Sequence, residues 1–335
     1  MPLRISIALA ARNAELYLQD LLDSVLRQTE PPHELVVHDD ASEDSTPDRV
    51  ERFAASAPFP VRLEREAGRR GPTESFMAAA RRCEGDAVAF CDQDDVWVPS
   101  KLERCREELE RTGASLVLHS ARLVDAQLRQ LGHDWPVIDS TRLVPPLGLT
   151  GLDTDHPGMT MVFRRELLEL ADFDTRPPSR YGNGNQMLHD EWLFFVAGAA
   201  GPIRLLAEPL VLYRQHESNH SGGWVDRRRD LSLRPAIGDY RRAAEHTAAC
   251  ARYLEAAGTP RLAAGADSYR RIAENWRLRV SLYAAHGRRT RAQLFRQLLR
   301  EHAYRARAAG GFGRVALGKD LAAGVALAVP ASNER

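Results

Sequence analysis

Ala87-Val88-Ala89-Phe90-Cys91-Asp92-Gln93-Asp94-Asp95-Val96-Trp97-Val98-Pro99 is the stretch on which the reading of this chain turns. Five apolar residues end abruptly in three carboxylates within four positions, and an apolar run resumes at once. A short continuous apolar run is what a strand buried on both faces requires. In an open parallel sheet, ligands bind beyond the carboxyl ends of such strands. Carboxylates crowded this closely repel one another unless a cation or a hydrogen-bond donor compensates. Mg or Mn would do so, since such ions take one or two carboxylates and complete their shell with substrate phosphates. Asp is also common in solvated turns after strands, and that remains the plainer alternative.

Upstream, the same alternation repeats. Residues 4–10 form an apolar, β-rich strand, and Leu18, Leu21, Leu22, Val25 and Leu26 fall at helical spacing. A second strand over 34–38 ends in Asp39-Asp40, a helix is expected over 47–55, and Val61-Arg62-Leu63 reads as a third strand. A helix over 76–82 leads into the opening stretch, followed by a helix over 99–112 and a strand over 115–118. Strands alternating with helices predict an α/β fold, a mostly parallel sheet covered on both faces. Beyond Asp125 the pattern loosens: a strand over 159–163, a helix over 165–171, a helix over 189–199 and a late strand over 210–213. The loop over 172–186, with Pro177-Pro178 and Gly182-Asn183-Gly184, is expected to be mobile. From Pro235 onward three helices are predicted, with apolar positions such as Tyr240, Ala244 and Leu254, then Tyr269, Ile272 and Trp276, then Phe295 and Leu298.

Charge divides the chain where pattern does not. The 335 residues carry 46 basic and 46 acidic side chains, yet 224–310 holds 19 Arg, no Lys and 8 acids, a net +11. Halves of opposite sign suggest two units, 1–223 and an Arg-rich helical region 224–335. The neutral total argues against a nucleic-acid partner. Four cysteines without a C-x-x-C pair exclude a disulfide scaffold and a Cys-rich zinc site. The N-terminus lacks a signal-peptide pattern, and no apolar run reaches the ~18 to 20 residues of a spanning helix. The expected location is cytoplasmic.

Several pieces, in order, resemble a known family. They are Ala11-Arg12-Asn13-Ala14-Glu15, Leu22-Asp23-Ser24-Val25-Leu26-Arg27-Gln28-Thr29, and Val36-Val37-His38-Asp39-Asp40-Ala41-Ser42-Glu43-Asp44-Ser45-Thr46. Then follow Asp92-Gln93-Asp94-Asp95-Val96-Trp97, His189-Asp190-Glu191-Trp192, and Tyr213-Arg214-Gln215-His216 with Asn219 and Ser221-Gly222. Together they are similar to family 2 glycosyltransferases of the GT-A fold, over roughly residues 3–223. The Asp-Gln-Asp-Asp-Val-Trp form resembles the bacterial subgroup labelled rhamnosyltransferase-like.

The resemblance implies a metal-dependent inverting transferase. It would move a sugar from a nucleotide-diphosphate sugar to a hydroxyl of a glycan or lipid-linked acceptor, in surface polysaccharide or glycolipid synthesis. Carried over by position, Asp39 and Asp40 match a pair of carboxylates of which one contacts the nucleotide base, and Ala11 and Asn13 would border the same pocket. Asp92 would serve both the donor and the metal, Asp94 the metal, and Asp190 would be the catalytic base. Asp190 would equally suit the first turn of a helix, where the dipole favours a negative charge. His216 could complete the coordination of Mn or Mg, or serve as a hydrogen-bonded structural residue. Trp97 and Trp192 are expected to pack, with an acceptor-sugar platform as the alternative. The family's usual Thr-Tyr-Asn in the first turn is Ala11-Arg12-Asn13 here, and its Asn-Phe before the fourth strand is Ser75-Phe76.

The Arg-rich helices suit an ordinary solvated surface, peripheral contact with an anionic membrane, or a homodimer. Two other functions fit the same sheet: a non-catalytic nucleotide-sugar-binding protein and a sugar-phosphate nucleotidyltransferase. The latter calls for a Gly-rich basic loop after the first strand, and residues 11–17 have none. A Rossmann dehydrogenase is excluded by the missing G-x-G-x-x-G in that turn.

Overall fold

The structure, a computed structural model, describes residues 1–147, 156–180, 185–216, 237–304 and 312–326. Strands β1 (Ile5–Ala11), β2 (Glu34–Asp39) and β4 (Ala87–Cys91) are buried along their whole length. With β3 (Val61–Arg65) they form a parallel block in the order β3-β2-β1-β4. Side chains alternate between two cores, as period-2 geometry demands. Ile5, Ile7 and Leu9 of β1 meet α1 (Leu18–Leu26), α2 (Thr46–Ala54) and α4 (Lys101–Thr112), whereas Ala8 and Ala10 face α3 (Pro72–Arg81) and α5 (His189–Ala200). The small alanines leave room for Phe76 and Phe90, whose rings meet edge to face at 5.4 Å.

Past β4 the sheet departs from simple alternation. β9 (Met161–Arg164) inserts antiparallel between β4 and β6 (Leu116–Val124), and β10 (Ile203–Arg214) returns parallel to β6. The expected strand over 210–213 is therefore the end of a twelve-residue strand. Short strands β5 (Val96–Trp97), β7 (Gln130–Trp135) and β8 (Arg142–Val144) escaped the sequence reading and pair antiparallel with β10, β6 and β10. The helix expected over 165–171 is only a 3₁₀ turn, Arg165–Glu169. α3 begins earlier than expected, at Pro72, whose fixed φ suits a first helical position.

The three C-terminal helices are present: α6 (Ile237–Ala256), α7 (Pro260–Ala284) and α8 (Arg288–Arg300), followed by α9 (Gly313–Lys319). The 223/224 boundary lies outside the described residues. The helices after it share a core with the sheet, because Cys250, Leu254, Leu262 and Tyr269 pack into the same cluster as Phe90, Trp192 and Phe195. Gly265 allows the approach of α7 to α5: a Cβ there would stand 2.9 Å from the Ala199 methyl. A third core joins α6–α9, with the Asp320 carboxylate buried among Arg279 (2.9 Å), Tyr283 (2.7 Å) and Tyr304 (2.8 Å). Among the described residues no helix is long and apolar enough to cross a membrane.

Candidate active site

A cleft of about 750 Å³ opens where the carboxyl ends of β1, β2 and β4 meet the start of α5. Its wall includes Ala11, Asn13, Asp40, Asp92, Asp94, Asp190 and His216, drawn from five separate stretches of sequence. Asp39 is not part of it. That carboxylate is buried behind the wall, accepting from the Ser42 amide at 3.2 Å. Period 2 explains the split: adjacent residues at a strand end point to opposite sides.

The β1 and β2 turns are held by their own polar groups. Asn13 has φ 47°, a left-handed conformation that Asn tolerates. Its side-chain oxygen accepts from the Glu43 amide at 2.9 Å. Both Asp40 carboxylate oxygens accept backbone N–H groups, from Arg70 at 2.6 Å and Gly71 at 2.9 Å, which fixes the loop carrying Arg69 at the cleft wall. Gln93 staples the acidic loop to β1, accepting from the Arg12 amide at 2.6 Å and donating to the Arg12 carbonyl at 3.1 Å.

Beyond β4, burial and mutual repulsion raise the proton affinity of Asp92 and Asp95. Asp92 is pushed up to about 7, by burial first and then by Asp94 and Asp190. Asp95, fully buried, goes well above the usual carboxylate range for the same reasons; its Oδ1 accepts from the Arg214 amide at 3.1 Å. Asp94 Oδ2 lies 2.9 Å from His216 Nε2, and the His216 ring packs on Tyr17 at 4.8 Å. The buried Arg214 ties the loop down, donating to the Asp94 carbonyl at 2.8 Å and to Asp20 Oδ2 at 2.8 Å. Beneath lies Lys101, one of only two lysines in the chain. Its ammonium donates to the Met159 carbonyl at 2.7 Å and sits 3.7 Å over the Trp97 ring, and burial lowers it to about 8.

Among the described residues no three His, Cys, Asp or Glu side chains form a ready metal cage. The chemistry of the donor set nevertheless suits a divalent ion. Two carboxylates, Asp92 and Asp94, face the cleft side by side, and hard cations complete such a pair with phosphate oxygens.

Asp190 occupies the first turn of α5, as the helix reading expected, and also lines the cleft. Burial raises its proton affinity, while His156, the Glu191 amide at 2.7 Å and Arg180 oppose the rise. The neighbouring His189 is held neutral, lowered by burial to about 3, and stacks on Phe76 at 4.2 Å.

The loop leading to Asp190 is braced by α6. Trp192 Nε1 donates to the Tyr253 hydroxyl at 2.7 Å, and that hydroxyl donates to the Asp172 carbonyl at 2.6 Å. His246 Nδ1 lies 3.0 Å from the Pro178 carbonyl, and Arg176 Nε donates to the Met187 carbonyl at 2.7 Å. The loop expected to be mobile is thus pinned at residues 172–180; Gly182-Asn183-Gly184 lie outside the described residues. So do Asn219, Ser221 and Gly222. Trp97 and Trp192 pack in the core, as expected. Sequence reasoning gave no role to Gln93, Lys101, Trp135, His156 or Arg214. Only Lys101 carried a signal, as one of two lysines in an arginine-rich chain.

Residues 6–170 match the sequence model of the family described as Glycosyl transferase family 2. This stretch is a family 2 glycosyltransferase domain. A glycosyltransferase of uncharacterized function from Nostoc, alr2836, is 28% identical over 223 residues, covering 65% of this chain and 66% of that one. WfgD of Escherichia coli, a UDP-Glc:alpha-D-GlcNAc-diphosphoundecaprenol beta-1,3-glucosyltransferase, is 34% identical over 99 residues, 30% of this chain and 38% of that one. The chain spans less than two thirds of the length of these curated relatives. TarS of S. aureus, residues 1–349 in complex with UDP-GlcNAc, superposes with a TM-score of 0.56 at 20% identity, over 89% of this chain and 80% of that one. The glycosyltransferase domain therefore has the GT-A fold.

Proposed function

We propose that the chain is a metal-dependent inverting glycosyltransferase, moving a sugar from a nucleotide-diphosphate sugar to a hydroxyl of a glycan or lipid-linked acceptor. The observation that carries this reading is the cleft itself, where Asp190, raised in proton affinity, shares one wall with Asp92 and Asp94. A base must reach the proton it takes and bind it well enough to accept it, and burial raises Asp190's affinity for that proton. Asp190 would accept the acceptor hydroxyl's proton as the new bond forms on the face of the sugar opposite the diphosphate, which inverts the anomeric centre. Asp92 and Asp94 would hold Mn or Mg, which stabilises the charge growing on the leaving diphosphate. Ala11, Asn13 and Asp40 would shape the nucleotide pocket, with Asp39 supporting it from behind. His216 would orient Asp94 and join the coordination only by releasing that carboxylate.

The name of WfgD supports a UDP-sugar donor and a lipid-linked acceptor. The Asp92–Trp97 motif supports a place in the rhamnosyltransferase-like subgroup, which speaks of kinship and not of the sugar. Peripheral membrane contact is supported by α8, which exposes Arg288, Arg289, Arg296 and Arg300 and contains no acid. The test is transfer from a panel of UDP-, GDP- and dTDP-sugars with Mn or with chelator, reading the product's anomeric configuration by NMR. Chelator-sensitive transfer with inversion is expected; retention of configuration would reject the mechanism.

A further inference from the structure

Asp190 and the acidic loop belong to different elements, so their separation depends on what fastens those elements together. Lys101, the first residue of α4, is fully buried. Its ammonium sits 3.7 Å over the ring of Trp97, two residues past the acidic loop, and donates to the Met159 carbonyl at 2.7 Å. We propose that Lys101 is a positioning residue, which sets the distance between the acidic loop and Asp190 through the turn that carries Met159. The inference rests on the glycosyl-transfer reading and names what aligns its base with the donor's leaving group.

Three observations carry it. First, the turn is stiff and stands in the cleft wall. Gly158–Thr160 form a 3₁₀ turn in which the Thr160 hydroxyl and amide both donate to the Pro157 carbonyl, at 2.7 and 3.0 Å. Gly158 and Met159 line the cleft. Second, the turn abuts the base. A Cβ on Gly158 would stand 3.0 Å from His189 Nε2 and 3.7 Å from the Asp190 Cβ, so only a glycine lets the turn sit this close to the start of α5. A shift of the turn therefore reaches Asp190 directly, because a close-packed interior transmits strain. Third, a buried cation is a costly way to fasten a turn. Buried ionic groups are often replaced by well-packed apolar residues of similar volume without loss of stability, so stability alone does not account for Lys101. A compact ammonium on a long stem does what an apolar side chain cannot: it grips a carbonyl on one side and a ring face on the other. The strand that closes the acidic loop and the turn that abuts the base are thus held by one atom.

The experiment compares Lys101→Met, Gly158→Ala and the double variant with the wild type. It reads transfer rate, affinity by calorimetry for whichever of UDP, GDP and dTDP the wild type binds with Mn, and amide hydrogen exchange by mass spectrometry. Methionine keeps a stem over Trp97 and loses the donor to Met159. Alanine keeps Lys101 and presses on His189 and Asp190 from the turn. Each single variant should transfer about tenfold to hundredfold more slowly, with nucleotide affinity within about twofold of the wild type. In Lys101→Met, the amides of 158–161 and 188–192 should exchange faster, and those of β1 and β2 should not change. The double variant should be about as slow as the slower single one, because both changes act through one contact. Wild-type exchange or wild-type transfer in Lys101→Met, an equal loss of nucleotide affinity, or additive losses in the double variant would each overturn the proposal. Faster exchange at the turn and the start of α5, in a protein that transfers no sugar, would leave the link standing and count against glycosyl transfer.

Discussion

The two ends of the cleft are built in different ways. At the end proposed for the nucleotide, β1, β2 and β4 deliver Asn13, Asp40 and the acidic loop on a parallel ladder, and side chains from neighbouring turns lock one another. At the end proposed for the base, Asp190 rides on a helix whose approach is fixed by residues far along the chain. Tyr253 reaches across 81 positions to the Asp172 carbonyl, and His246 across 68 to the Pro178 carbonyl. The first end is carried by the sheet; the second depends on α6, in the half that charge marks as a separate unit. Charge describes what a helix shows to solvent. What the helix buries, here Cys250, Tyr253 and Leu254, decides which part of the molecule it belongs to.

The comparison predicts that disturbing α6 harms the base and spares the nucleotide pocket. Tyr253→Phe leaves the Trp192 N–H without its acceptor, at a cost of about 1–3 kcal/mol. Turnover should fall by about tenfold to hundredfold, since small misplacements of a catalytic group have effects of that size. Affinity for the donor nucleotide should stay unchanged, as measured by calorimetry on the same preparation. An equal loss in both quantities would mean that the two ends are not separately supported.

A smaller effect sharpens the nucleotide end. Asp92 titrates at about 7 in the fold, against ~3.9 for an unperturbed carboxylate. A raised value in the folded state favours folding at low pH, and the benefit is lost as pH rises from about 4 through about 7. Buried histidines such as His119 and His189, both lowered, act in the opposite sense, so the wild-type melting curve alone is ambiguous. Asp92→Asn isolates the group: with no cation, the wild type should lose stability relative to it as pH rises to about 7. A cation reverses the trend, because it binds the ionised form. The stabilisation by Mn with nucleotide should grow over the same interval and level off above it, and a pH-independent increment would reject Asp92 as a metal ligand.

Legibility from sequence followed the same division. Asp92 and Asp94 were readable because they follow an apolar strand directly, whereas Asp190 came from the family resemblance, since local pattern alone favours a first-turn acid there. Adjacent Asp39 and Asp40 were not separable by pattern, since only the strand's twist and pairing decide which one faces the cleft. Trp135 was hidden by the irregular stretch after Asp125. β7 there is a hairpin arm paired across a register shift, and its residues alternate too weakly to announce a strand. Arg214 and Tyr253 act through partners more than 60 positions away, and no window of sequence contains both ends of such a contact.

The central claim is that Asp190 is a base and not merely a first-turn acid. Asp190→Asn keeps the shape and the hydrogen-bonding reach but cannot take a proton. Transfer rate, donor affinity and melting temperature should be measured together on this variant. The account predicts donor and metal affinity near wild type and transfer slower by roughly 10²- to 10⁴-fold, the usual share of general-base catalysis. Near-normal transfer with a lowered melting temperature would contradict it and assign Asp190 to the helix alone.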